Sequence, residues 1–165
     1  MKAVTEQAIR GSFVNCSKGE AKRLAVPRDL DERPWDDLDF LGWRDPAAPD
    51  RGYAVVERDG RLVGVALRTP GQQRGHLHRG MCSLCLTTHP GSGVSLMTAR
   101  KAGKAGREGN SAGLYICADL QCSLYLRGKK TPDPGGSRIS ESLTLEEQTA
   151  RLTTKLFDFL DSLQG

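Results

Sequence analysis

Four cysteines, spaced as Cys82-x-x-Cys85, a gap of 31 residues, then Cys117-x-x-x-x-Cys122, constrain this chain more than anything else in it. They supply a complete set of soft ligands. A structural zinc ion takes four ligands tetrahedrally, favours sulfur, and with four thiolates keeps no open position for water or substrate. Such a centre holds a fold together and does no chemistry of its own. The competing readings are two disulfides or four unrelated buried thiols. Met1 to Arg10 has no sustained apolar core of the signal-peptide kind, and no later segment approaches the roughly 18 to 20 apolar residues of a membrane span. The chain is therefore expected in the cytoplasm, with no membrane partner, and in that reducing compartment paired cysteines at short spacing favour a metal over disulfides. The expectation is one structural Zn2+ held by Cys82, Cys85, Cys117 and Cys122.

A metal staple suits the rest of the composition. The 165 residues correspond to about one domain, yet only 38% are apolar and 19 are glycine, so zinc would supplement modest hydrophobic burial. The charge of +4 is uneven. Arg74 to Lys130 holds nine Lys or Arg against Glu108 and Asp119, giving +7 there and −3 elsewhere. The zinc region is thus the basic pole. A tetrathiolate zinc centre, with a charge of about −2, would use part of that excess and leave the remainder for an acidic partner or RNA; a merely solvated basic loop is the alternative.

Local signals place the elements. Ser17-Lys-Gly-Glu20 is a capping box opening a short helix that must stop before Pro27. Arg28 to Arg51 carries eight acidic residues, four prolines or glycines and both tryptophans, and reads as an irregular covering arm pinned by Trp35, Leu38, Phe40, Leu41 and Trp43. Tyr53 to Glu57 and Leu62 to Leu67 flank an Asp59-Gly60 turn and form a β-hairpin that ends at Pro70 to Gly75. Val94 to Thr98 and Ala112 to Ile116 form a second strand pair. The Ala99 to Asn110 tip between them is basic, Gly-rich and expected to be mobile. Cys117 leaves a strand, Asp119 is the expected helix cap, and Leu120, Leu124 and Tyr125 give helical spacing through Arg127. Thr131 to Gly136 reads as a flexible linker. Thr144-Leu-Glu-Glu147 is a second capping box, opening a helix with Leu145, Leu152, Leu156, Phe159, Leu160 and Leu163 on one face.

The predicted fold is α+β: a small antiparallel sheet, a zinc finger over about 78–130 and a C-terminal helix over about 144–163. Residues 1–51, with short helices and the acidic arm, would pack on a mixed domain of residues 52–165. A knuckle, a hairpin and a helix whose first turn brings the last ligands is the order of a treble-clef finger. The helix N-terminus also favours thiolate over thiol. His76, His78 and His89 lie near the knuckle, and one could replace a cysteine, although four thiols already complete the shell. Catalytic zinc needs a vacancy and a poised acid or base, and the sequence has no H-E-x-x-H and no H-x-E with P-C-x-x-C, so no enzyme is expected. Cys16 reads as a small buried hydrophobe. No heptad seam appears, so a monomer is expected.

Met81-Cys-Ser-Leu-Cys85, Val94-Ser-Leu-Met-Thr98 and Leu114-Tyr-Ile-Cys-Ala-Asp-Leu-Gln-Cys122 resemble the C-terminal treble-clef zinc-finger domain of the FusB-type elongation factor G-binding proteins, associated with fusidic acid resistance. The resemblance is best over about His78 to Lys130. It implies zinc on the four cysteines and binding to elongation factor G, which in that family promotes release of the factor from a drug-locked ribosome. Family members known for resistance carry an N-terminal helical bundle, whereas Met1 to Arg51 does not read as one, so the chain resembles the zinc-finger domain standing alone. On this reading Arg100, Lys101, Lys104 and Arg107, flanked by Leu84 and Tyr115, meet an acidic surface of the factor. The rival is a basic module on ribosomal or messenger RNA. Tyr115 and Tyr125 are the sole aromatics in the basic region, which leaves no base-stacking platform.

Overall fold

The computed structural model describes residues 1–69 and 79–164. His76, His78, Arg74 and the expected strand end at Pro70 to Gly75 lie outside them. The sheet grows from the predicted hairpin: β2 (Arg51–Arg58) pairs with β3 (Arg61–Arg68) from Arg51↔Arg68 to Arg58↔Arg61. Asp59 and Gly60 turn it with φ of 52° and 74°. Two consecutive left-handed residues are what a tight hairpin turn matched to strand twist requires, and Asp-Gly tolerates them. β6 (Val94–Arg100) and β7 (Ser111–Cys117) form the second hairpin, paired from Val94↔Cys117 to Arg100↔Ser111.

Residues 1–51 form an N-terminal arm made of α1 (Glu6–Gly11), α2 (Lys18–Arg23) and the acidic stretch Arg28 to Arg51. That acidic stretch departs from the expectation of an irregular segment: it holds two short 3-10 turns and an edge strand, β1 (Leu41–Arg44), which pairs antiparallel with β2. The main sheet therefore runs β1-β2-β3-β6-β7. The predicted capping box is present on α2, and the Arg10 guanidinium donates to the carbonyls of Ala21, Lys22 and Leu24, closing the helix at its C-terminal end. Between β3 and β6 the ladder has one residue pair, Arg68↔Thr98. The arm fills the remaining gap: Gly64 exchanges backbone bonds with Ser12 and Val14, and the Asn15 amide brackets the N–H and C=O of Ala66 at 2.8 and 2.9 Å.

Alternation sorts the strands into two faces. One face buries Leu41, Trp43, Tyr53 and Val55 under Ile9, Leu24 and Leu38 of the arm. Trp43 Nε1 donates to the Ala25 carbonyl and Trp35 Nε1 to the Leu30 carbonyl, satisfying both indoles. The opposite face buries Val65, Leu67, Met97 and Ile116 with Leu152, Leu156, Phe159 and Leu160 of α5 (Leu145–Ser162). α5 begins at the predicted capping box, but Leu145 in its first turn is exposed and stands off the buried stripe. The arm covers β1 to β3, whereas on β6 and β7 Leu96 and Thr98 are half-buried and Tyr115 is open.

Candidate metal centre and interaction face

The first knuckle follows β4 (Gly80–Met81), which pairs with β5 (Thr88–His89). The Cys82 N–H donates to the Thr87 carbonyl and the Leu86 N–H to the Cys82 carbonyl, while Leu86 adopts φ 56° to close the turn. Turning both thiols inward requires that left-handed residue, and leucine accepts strain that glycine would avoid. The second pair comes from the end of β7 and the start of α4 (Cys122–Leu126). Here the helix begins two residues later than predicted. Leu120 takes φ 60°, and the turn it makes absorbs the two extra residues of the four-residue gap. Asp119 caps no helix: it accepts from the Tyr125 hydroxyl at 2.8 Å and from Lys130 at 2.7 Å.

All four sulfurs are buried and lie within 4.8 Å of one another. Cys82 and Cys122 sulfurs are 3.7 Å apart, and those of Cys85 and Cys117 are 3.5 Å apart. Zn–S bonds of about 2.3 Å in a tetrahedron place sulfurs about 3.8 Å apart, whereas a disulfide needs about 2.05 Å. The cluster thus fits a single structural Zn2+ and not paired disulfides. Four buried thiols crowd one another strongly. Hydrogen bonds from Cys117, Cys122 and Cys85 drive the Cys82 pKa far down, and hydrogen bonding to Cys117 and the other two thiols, with burial, pushes Cys122 up. A divalent cation removes that conflict, because coordinated thiols are deprotonated outright.

Packing around the sulfurs fixes the scaffold. His89 is 3% exposed, with Nε2 3.3 Å from the Cys117 sulfur and its ring edge-on to Tyr125 at 4.6 Å. The imidazole supports a ligand from outside the four-sulfur set, donating to the thiolate when Nε2 carries the proton. The sequence pointed to His89 only as a stand-in ligand. Lys155 of α5 donates to the Ser83 carbonyl at 3.0 Å, and the Ser83 N–H donates to the Tyr115 carbonyl at 2.8 Å, so knuckle, helix and β7 are joined. Leu120 packs over Gly42 of β1 and Gly52 of β2, where an added Cβ would come within 2.6 and 3.1 Å of it.

The predicted partner-facing residues divide. Leu84 is 1% exposed and belongs to the core with the cysteines, so it offers nothing to a partner. Knuckle geometry turns it inward between two inward thiols. Tyr115 is 56% exposed, with Leu96 opposite it on β6. Arg100, Lys104 and Arg107 are exposed at the far end of the same hairpin and Lys101 is half-buried there. The tip is more ordered than expected. Residues Gly103–Arg107 form a helical turn, α3; Lys101 N–H donates to Asn110 O at 2.9 Å, and Ala102 N–H donates to Leu163 O at 2.8 Å. Gly106 is buried, and a Cβ there would lie 1.7 Å from the Lys101 carbonyl. Immediately after the expected linker, Thr88 and Ser137 exchange backbone hydrogen bonds, which ties its C-terminal end to β5.

The arm also spends its acid on the basic pole. Arg127 makes a bidentate pair with Asp39 at 2.6 and 2.9 Å, and Lys129 approaches Asp37 at 3.8 Å. Among the described residues, Arg79, Arg100, Lys101 and Arg107 of that pole have no carboxylate within ion-pair distance, and Lys104 is 3.7 Å from Glu108.

The family model of the FBP C-terminal treble-clef zinc-finger matches residues 8–163. The chain belongs to this family. The matched stretch begins inside α1, so the acidic arm is part of the FBP zinc-finger unit. Among solved structures, the fusidic acid resistance protein FusC is similar, with a TM-score of 0.52 and 17% sequence identity over 87% of this chain and 53% of FusC. The chain thus spans about half the length of FusC. No curated protein sequence matches. FBP zinc fingers of this treble-clef type are structural and binding modules, and no helix among the described residues is long and apolar enough to cross a membrane.

Proposed function

We propose that this FBP zinc finger binds translation elongation factor G through the open face of the β6–β7 hairpin and its basic tip. On this reading, binding promotes release of the factor from the ribosome, as the FusB-type resemblance implies and as the fold shared with a fusidic acid resistance protein supports. The observation that carries the proposal is the uncovered half of the sheet. An exposed Tyr115 stands on a strand tied to the metal knuckle, opposite Leu96, and the tip at the other end of the same hairpin carries Arg100, Lys101 and Arg107, which have no ion-pair partner among the described residues. Tyrosine on a rigid strand is a favourable interface anchor, since it brings large contact area at small entropic cost. Arg100, Lys101 and Arg107 set approach and orientation toward an acidic surface.

Zinc, when bound by Cys82, Cys85, Cys117 and Cys122, supplies rigidity and no reaction. The chain's own residues hold the face: Ser83 fixes Tyr115, Lys155 fixes the knuckle to α5, and Leu163 fixes the tip. The test is size-exclusion chromatography of the zinc-loaded protein with elongation factor G. A one-to-one complex is expected, weakened by Tyr115→Ala with Arg107→Glu and abolished by Cys117→Ser. Absence of a complex with zinc intact overturns the proposal, and co-sedimentation with RNA under those conditions would favour the nucleic-acid reading.

A further inference from the structure

We propose that the junction between the arm and the sheet is a binding site for a small organic phosphate, which shares Arg100 with the face assigned to the translation factor. Among the described residues, a cleft of about 450 Å3 opens where the arm stops pairing with β3 and β6 takes over. That volume suits a small metabolite and not a folded partner. Four arginines from four separate elements line it: Arg23 at the end of α2, Arg51 on β2, Arg68 on β3 and Arg100 on β6.

Four arginines drawn from distant parts of the chain to one cleft favour an anion there. Arg68 has one, since Asp50 pairs with it at 3.1 Å. Among the described residues, Arg23, Arg51 and Arg100 have no carboxylate within ion-pair distance. The two carboxylates on the lining are already engaged. Glu20 accepts the Ser17 N–H at 2.7 Å as part of the α2 cap, and Asp45 accepts the Tyr53 hydroxyl at 2.9 Å and the Ala47 N–H. Both carboxylates keep their charge, so with Asp50 they offset three of the four guanidiniums and leave a surplus of one positive charge. Arginine's planar fork matches phosphate oxygens in pairs, which an isolated lysine does not do.

The rest of the lining suits an organic body attached to that phosphate. Leu24, Ala66 and Leu67 give an apolar wall, and Thr98 and Ser111 add hydroxyls beside Arg100. The floor is preorganised, because Asn15 is locked to both backbone groups of Ala66 and Tyr53 is locked to Asp45. The cleft therefore offers a phosphate clamp at its rim and a fixed wall below it.

The test titrates the zinc-loaded full chain with inorganic phosphate, ribose 5-phosphate, adenosine 5′-monophosphate and adenosine, following backbone amide NMR shifts. Saturable shifts at Asn15, Arg51, Thr98 and Ser111 with the two organic phosphates, and none with adenosine, are expected; stronger binding by the nucleotide than by the sugar phosphate would identify a base-reading wall. Arg23→Gln with Arg51→Gln should weaken binding roughly tenfold or more, as loss of charge-assisted hydrogen bonds does. Lys2→Gln with Arg61→Gln removes the same charge at two exposed positions outside the cleft and should leave binding unchanged. Equal weakening by the two double variants, shifts outside the cleft, or no saturation up to about 10 mM ligand would overturn the assignment. Neither arginine of the cleft variant lies on the β6–β7 hairpin, so factor binding can succeed or fail independently.

Discussion

Replacing Gly42 by alanine should loosen the metal centre from a distance. Gly42 lies on β1, outside the zinc-ligand loops, but a Cβ there would sit 2.6 Å from the Leu120 Cβ, 2.7 Å from the Leu120 carbonyl oxygen and 2.9 Å from the Phe40 ring. Carbon atoms rest at about 3.5 to 4.0 Å, so something must move by about 1 Å. A flexible side-chain tip could yield at small cost; a Cβ and a backbone oxygen cannot. Leu120 is the left-handed residue between ligands Cys117 and Cys122, so the displacement passes into the second ligand pair. Overpacking of this kind costs about 1 to 3 kcal/mol. If most of it falls on the zinc-bound state, affinity for zinc drops by about 5- to 100-fold, at 1.4 kcal/mol per tenfold. Competition against a chromophoric chelator, with urea unfolding of the zinc-loaded form, measures both parts. Gly11→Ala is the control, because a Cβ there meets nothing within 4 Å. If Gly42→Ala binds zinc as tightly as Gly11→Ala and unfolds at the same urea concentration, β1 does not buttress the ligand loop and this part of the account fails.

Three further outcomes follow from the same contacts. Asp39→Asn and Arg127→Gln should couple by about 1 to 3 kcal/mol in a double-mutant cycle of urea stability, above the surface-pair range, because the bidentate pair is largely sheltered where arm meets α4. Burial and then the hydrogen bond to Asp45 push the Tyr53 hydroxyl up to about 12, so its contribution to stability is complete below its ordinary value of 10.0 and is lost as pH rises through about 12. Tyrosinate absorbance should show that late-titrating phenol disappear in Tyr53→Phe. Thr144→Ala removes the side-chain acceptor for the Glu147 N–H and half of a capping box, and should lower urea stability by about 1 kcal/mol with unchanged zinc stoichiometry by elemental analysis.

What was legible in the sequence was local. The Asp59-Gly60 turn, the two capping boxes and the β6–β7 pairing depend on residues adjacent in the chain, and they stand where the pattern put them. The cysteine set was legible because few residue types bind zinc and four of one type at short spacing suffice. What sequence concealed was non-local. Leu41 to Arg44 looks too acidic and broken in its surroundings to be a strand, but β2 offers it a free edge and the two glycines, Gly42 and Gly52, let Leu120 approach from the zinc loop. Leu84 looked like an exposed flank because its hydrophobicity carries no direction; the knuckle turns it inward. The tip looked mobile for want of apolar residues, while its order comes from backbone bonds to Asn110 and Leu163 and from a buried glycine. The covering arm was read as pinned by its apolar residues, whereas Asp39 and Asp37 also pair with Arg127 and Lys129 across the fold.

The most direct test of the central claim is amide hydrogen exchange of the zinc-loaded protein with and without elongation factor G. The account predicts added protection along Val94 to Cys117, centred on Tyr115 and the Arg100 to Arg107 tip, and no change in α1 and α2. Protection confined to the arm, or a complex that forms with no slowing of exchange on the β6–β7 hairpin, would contradict it.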